Sequence, residues 1–193
     1  MRLFFAVDLD KPARAVAEQA GGSLASRAAR AGAAVRWAKP AGLHLTLAFL
    51  GEVHGGRVER ISALGAVPFE QPPFELSLSE AGVFPPRGAP RVIWIGPGRG
   101  GAEVVNLSRR LWGRLAGAGC GPAPTRFDPH VTLGRVRRAR AGEGRRLRAL
   151  LAETVLPAIA WTVDHVSLYE SRPGPGGSTY RRLATAALRG GTA

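Results

Sequence analysis

Two stretches of this chain echo each other. Arg36-Trp37-Ala38-Lys39-Pro40 leads, after Ala41, Gly42 and Leu43, to His44-Leu45-Thr46-Leu47, and Arg126-Phe127-Asp128-Pro129 leads directly to His130-Val131-Thr132-Leu133. Each copy runs arginine, aromatic, proline, then His-aliphatic-Thr-Leu. The copies lie nearly half of the 193-residue chain apart. A half-length repeat of this kind points to two similar lobes facing each other. On a strand, residues two apart share a face. His44 and Thr46 therefore project together, opposite Leu45, Leu47 and Phe49, and His130 projects with Thr132, opposite Val131 and Leu133. The apolar positions supply a core. An imidazole and a hydroxyl are left on the other face, once in each half.

The rest of the chain is compatible with such lobes. Strand character is expected over Arg2 to Leu9, Val35 to Trp37, Leu43 to Leu50, Phe74 to Leu78, Arg91 to Ile95, Phe127 to Gly134, Trp161 to Glu170 and Tyr180 to Leu188. Helices are expected over Ala13 to Ala31, after Pro12 in the first turn, and over Val58 to Leu64, Ala102 to Ala118 and Arg145 to Ala152. In the third of these, Val104, Leu107, Leu111 and Leu115 carry the helical spacing. Gly21-Gly22 weakens the middle of the first. Val83 to Pro90 and Pro173 to Gly177 are expected loops. No sustained β-α-β-α rhythm appears, which favours α+β with antiparallel sheet over a doubly wound parallel sheet. No linker divides residues 1–193 into independent domains.

Composition excludes more than it identifies. With 45% hydrophobic and 21% charged residues the chain is globular. No apolar run approaches the ~18 residues needed to span a bilayer. Asp8 and Asp10 interrupt the apolar start too early for a signal peptide, and the single cysteine, Cys120, cannot form an internal disulfide; a cytoplasmic location is expected. The net charge of +13 is almost all arginine, the only lysines being Lys11 and Lys39. It favours polyanionic partners, although GC-rich coding also accounts for arginine excess.

The repeated histidines suit attack on a phosphodiester. One neutral imidazole can take a proton from water while a protonated one gives a proton to the leaving sugar oxygen. Histidine's ordinary pKa of about 6.5 lets both forms coexist near neutrality. Thr46 and Thr132 can donate hydrogen bonds to non-bridging oxygens as their charge grows. Arg135, just beyond the second motif, adds positive charge near a phosphate, although with Arg137, Arg138 and Arg140 it also fits a solvated basic strip. A 2′,3′-cyclic phosphate holds its leaving group in a strained ring, so neither metal nor cofactor is required.

With these motifs the chain resembles the two-histidine phosphoesterases, and among them the RNA 2′,3′-cyclic phosphodiesterases once called 2′-5′ RNA ligases. The resemblance extends from Met1-Arg2-Leu3-Phe4-Phe5-Ala6-Val7-Asp8 through both His-x-Thr segments, Gly82-Val83-Phe84-Pro85 and Arg91-Val92-Ile93-Trp94-Ile95-Gly96 to Ser167-Leu168-Tyr169-Glu170-Ser171. It implies a bilobal fold of two similar antiparallel sheets with outer helices around a central cleft. It implies metal-independent hydrolysis of an RNA 2′,3′-cyclic phosphate end to a 2′-phosphate, with His44 as proton donor and His130 as acceptor; a tRNA fragment, a general decay product and a small cyclic nucleotide all stay open as the substrate. The residues themselves do not fix that order. Gly134 stands where a slightly larger residue is common. A monomer is expected, since such a cleft needs no second copy. A non-catalytic RNA-end-binding module and a 2′-5′ ligase remain as alternatives for the same cleft.

Other motifs lead elsewhere. Gly96-Pro97-Gly98-Arg99-Gly100-Gly101 satisfies the dinucleotide-binding pattern G-x-G-x-x-G, but no acidic residue follows at ~20 positions to hold a ribose. A plain turn accounts for it. His54 and His165 lack the spacing of metal ligands, and His165 is expected to be structural or on the surface. Cys120 has no nearby histidine to activate it. Trp37, Phe84 and Phe127 can stack a base or fill a core.

Overall fold

In the computed structural model, which describes residues 1–174 and 177–190, the apolar start forms β1 (Arg2–Asp8), with Leu3 to Val7 buried. A strand without a polar face needs cover on both sides. It lies inside a sheet, pairing antiparallel with β3 (His44–Glu52) on one edge and with β9 (His165–Arg172) on the other. Among the described residues, the remaining strands are β2 (Ala34–Trp37), β4 (Phe69–Glu70), β5 (Phe74–Phe84), β6 (Val92–Pro97), β7 (Val131–Arg138), β8 (Ile159–Val163) and β10 (Thr179–Arg189). They form one sheet in the order β4-β10-β9-β1-β3-β7-β6-β5-β8, with β2 beside β7. Every pairing is antiparallel except β4 with β10.

The two expected sheets are thus joined edge to edge, and the join is thin. The β3–β7 ladder consists of one pair, Leu45 opposite Val131. These residues follow the two histidines directly. A directly opposed antiparallel pair has a local twofold axis through it. About that axis β1 and β3 correspond to β6 and β7, each couple separated in sequence by a long helix.

The helices cross over. α1 (Lys11–Arg30) follows β1 yet packs against β2, β8 and α4 (Ala141–Ala152), in the other half. α3 (Gly101–Ala116) follows β6 yet packs on β3, and α2 (Arg57–Leu64) lies against α3. α1 approaches closely because its buried stripe is small: Ala13, Ala17, Ala20, Leu24 and Ala28. Asp10 caps it, accepting from the Ala13 N–H at 2.7 Å, an interaction typically worth ~1 kcal/mol. Gly21 and Gly22 do not interrupt it. In α3 the four residues expected to face inward are buried, and Ser108 joins them, donating to the Leu47 carbonyl at 2.8 Å. That bond ties α3 to the strand that begins with His44. The buried apolar side chains other than Phe4 and Ala6 belong to one core, and no helix among the described residues is long and apolar enough to cross a membrane.

Several boundaries differ from expectation. The strand expected at Phe127 begins at Val131, since Pro129 has no N–H to give a ladder. The strand expected over Trp161 to Glu170 is two, β8 and β9, because Asp164 is where the chain passes between halves. The Asp164 carbonyl accepts from the Leu188 N–H instead. β5 extends to Phe84 and takes the start of the loop expected at Val83. Of the loop Pro173 to Gly177, Pro175 and Gly176 lie outside the described residues.

Candidate active site

With Leu45 opposite Val131 in an antiparallel ladder, positions 44 and 46 lie on the same face as 132 and 130 across it. Neighbouring ladders agree: His44 and Thr46 oppose Asp8 and Ala6, and Thr132 opposes Trp94. Leu45, Leu47, Val131 and Leu133 are buried on the far side. The alternation legible in the sequence puts the two polar pairs on one surface at the join of the halves.

Both imidazoles are anchored alike. His44 donates from Nδ1 to the Gly42 carbonyl at 2.8 Å, and His130 from Nδ1 to the Asp128 carbonyl at 2.8 Å. A carbonyl can only accept, so each Nδ1 carries hydrogen and each Nε2 is left for proton exchange. Aromatic rings fix the planes. Phe4 lies 4.7 Å from His44 and Tyr180 meets its ring edge-on at 5.1 Å, while Phe84 meets His130 edge-on at 4.9 Å.

Burial pushes the pKa of His44 down; the Gly42 carbonyl and the Asp8 carboxylate oppose this, while charge on His130 adds to it. Burial also lowers His130, against the pull of the Asp128 carbonyl and carboxylate, with Arg135 lowering it further. Burial thus disfavours the charged form of both rings.

A cavity of about 450 Å³ opens on this face, lined by His44, Thr46, Thr132 and Arg135 together with Arg36 and Trp37. His130 stands outside that lining, against Phe84. Arg36 lies directly opposite Arg135 in the β2–β7 ladder, and no carboxylate among the described residues pairs with either. Like charges directly opposed destabilise a sheet, so the wall favours an anion. Gly134 makes room for Trp37: a Cβ there would lie 2.7 Å from Val35 Cγ1 and 3.1 Å from Trp37 Cε3.

Trp37 thus lines the cavity, Phe84 supports a histidine, and Phe127 packs on the core. The glycine-rich run after β6 is a turn: the Gly98 N–H donates to the Ser77 carbonyl at 2.9 Å, and the Ser77 N–H to the Arg99 carbonyl at 3.0 Å. Cys120 is partly buried against the core. His165 is half-buried and bonded to Asp164, with Nε2 3.4 Å from Asp8. Asp8, Arg36 and Tyr180 escaped the sequence reading. They reach the site from separate strands; Arg36 left a trace as the first residue of the repeat, and Asp8 as the carboxylate ending an apolar strand on the face of Phe4 and Ala6.

A family model described as the 2′-5′ RNA ligase superfamily matches residues 12–175, a span that holds both His-x-Thr segments. The chain belongs to that superfamily. Among its relatives, the RNA 2′,3′-cyclic phosphodiesterase of Archaeoglobus fulgidus is 38% identical over 139 residues, 72% of this chain and 74% of that protein. That of Methanothermobacter thermautotrophicus is 33% identical over 186 residues, 93% of this chain and 95% of its own. The crystal structure of Escherichia coli LigT complexed with 3′-AMP superposes with a TM-score of 0.70 at 30% identity, covering 97% of each chain. The α+β fold is therefore that of the superfamily's solved members.

Proposed function

We propose that this chain hydrolyses RNA 2′,3′-cyclic phosphate ends to 2′-phosphates, working as one two-lobed unit and as a monomer in the cytoplasm. The observation that carries the reading is the junction of the halves, where two His-x-Thr segments meet on one face with each imidazole donating from Nδ1 to a backbone carbonyl. The names of the superfamily relatives support the substrate class. Arg36 and Arg135, which have no carboxylate partner among the described residues, support an anionic strand, and a site built within one chain supports a monomer.

In this reading the cyclic phosphate lies over the Leu45–Val131 join. His130 Nε2 takes a proton from water as the water oxygen bonds to phosphorus. The P–O3′ bond breaks, and His44 Nε2 gives its proton to O3′, leaving a 3′-hydroxyl and a 2′-phosphate. Thr46 and Thr132 donate to the non-bridging oxygens, and Arg135 adds charge-assisted contact. Each proton transfer contributes typically about 10²–10⁴-fold.

The test is an oligonucleotide ending in a 2′,3′-cyclic phosphate, incubated with the protein in EDTA and mapped for product. A 2′-phosphate is expected. His44→Ala and His130→Ala should each lose at least about 10²-fold, and near-normal turnover in either discards the mechanism. Bound but unchanged substrate identifies an end-binding module instead, and joined strands a ligase.

A further inference from the structure

The two histidines sit in unlike electrical surroundings. In the β1–β3 ladder Asp8 lies directly opposite His44, and opposed side chains share a face with Cβ atoms about 4.5–5.5 Å apart. The matching place in the other half follows from register. Val7 opposes Leu45 and Ile95 opposes Val131, so Gly96, after Ile95, stands where Asp8 stands after Val7. No side chain fits there, because a Cβ on Gly96 would come within 2.9 Å of the Trp94 ring.

Asp8 is held in place and ionised. Ser167 Oγ donates to it at 2.7 Å and the Tyr169 hydroxyl at 2.8 Å, and its side chain is only 16% exposed. Burial pushes its carboxyl up, but the bonds from His165, Ser167 and Tyr169 outweigh that and hold it below its usual value. Asp8 and His44 also line one cavity of about 520 Å³.

We propose that Asp8 is the positioning residue that makes His44 the acid of the pair, since a carboxylate anchored by Ser167 and Tyr169 faces His44 while glycine occupies the matching place beside His130. The inference rests on the proposed reaction for its catalytic meaning, and on the ladder alone for the coupling of Asp8 to His44.

Of the other groups around His44, the Gly42 carbonyl also favours the proton, but the Asp128 carbonyl does the same for His130, so it does not tell the two rings apart. Arg14 from α1 and His130 from the segment before β7 both oppose a proton there. His165 and Tyr169 from β9, and Tyr180 and Arg182 from β10, line the cavity with Asp8, as do Asp10 and Lys11 at the start of α1. Arg182 at 4.0 Å and His165 at 3.4 Å share the charge of Asp8, which still acts on His44 in the direction that favours a proton. Around His130 the nearest carboxylate, Asp128, is exposed and paired with Arg126 at 2.7 Å, and Arg135 opposes protonation.

The experiment is Asp8→Asn, read by NMR titration of both imidazoles and by the pH–rate profile. The pKa of His44 should fall by roughly 0.5–2 units, the span Coulomb's law gives for one charge about 6 Å away at effective dielectric constants of about 80 to 20. His130 should stay in place. The alkaline limb of the rate profile, where the acid loses its proton, should move down with His44, and Asp8→Glu should restore it. Loss of activity without a shift of that limb, an unmoved His44, or movement of His130 instead overturns the proposal. If Asp8→Asn does not fold, the native protein decides. The Asp8 carboxyl carbon should show an inflection at the pH where His44 titrates, absent in His44→Gln, and a carbon blind to His44 refutes the coupling. The NMR readouts need no turnover, so failure of the reaction assignment remains a separate result.

Discussion

Replacing Gly134 by alanine adds one methyl group where the structure has no room for it. The new Cβ would lie 2.7 Å from Val35 Cγ1, 3.1 Å from Trp37 Cε3 and 3.3 Å from Trp37 Cζ3. β2 must retreat from β7 or the indole must turn, and overpacking of this kind costs typically ~1–3 kcal/mol. At roughly 2–4 °C per kcal/mol for a chain of this size, the melting temperature should fall by about 2–12 °C. Because Trp37 lines the cavity, KM should rise more than kcat falls. The control is Gly21→Ala. Position 21 is also glycine but lies inside α1 with nothing within 4 Å of an added Cβ. There alanine should stabilise by ~1 kcal/mol and raise the melting temperature by about 2–4 °C. Differential scanning calorimetry on the three proteins reads both signs at once. A Gly134→Ala protein as stable as the native one, with unchanged KM, would refute the claim that this glycine shapes the cleft.

Two further outcomes are expected. His165 is raised above its usual pKa chiefly by its bond to Asp8, against the effect of burial. Its protonated form therefore adds stability fully present below the unfolded value near 6.5 and lost as pH rises through the higher folded value; His165→Gln should destabilise more at pH 5.5 than at pH 8.5 in urea titrations, and an equal loss at both would contradict the linkage. Arg36→Gln should weaken RNA binding and lower the salt slope of log K by about 1, the loss of one phosphate contact; an unchanged slope in a salt series would remove Arg36 from the nucleic-acid path.

The parts of this molecule legible in the sequence are those written in local periodicity. His44, Thr46, His130 and Thr132 declared their shared face through alternation with leucine and valine, and Val104, Leu107, Leu111 and Leu115 declared the buried side of α3. The approximate symmetry was visible because the repeat is itself a sequence pattern. What periodicity cannot carry is which strand neighbours which. Arg36 opposes Arg135 and Asp8 opposes His44 only through ladder registers between distant segments. Tyr180 reaches His44 from the far end of the chain. The break at Asp164 was hidden for a related reason: Trp161-Thr162-Val163 and Val166-Ser167-Leu168 both alternate apolar, polar, apolar, and nothing local records that they belong to opposite halves.

The narrow join at Leu45 and Val131 shifts the work of holding the halves together onto the helices. α1 leaves β1 and packs on β2, β8 and α4, and α3 leaves β6 and packs on β3. Each half is thus braced by a helix that follows a strand of the other, and the spacing of the two imidazoles depends on helix packing as much as on the sheet.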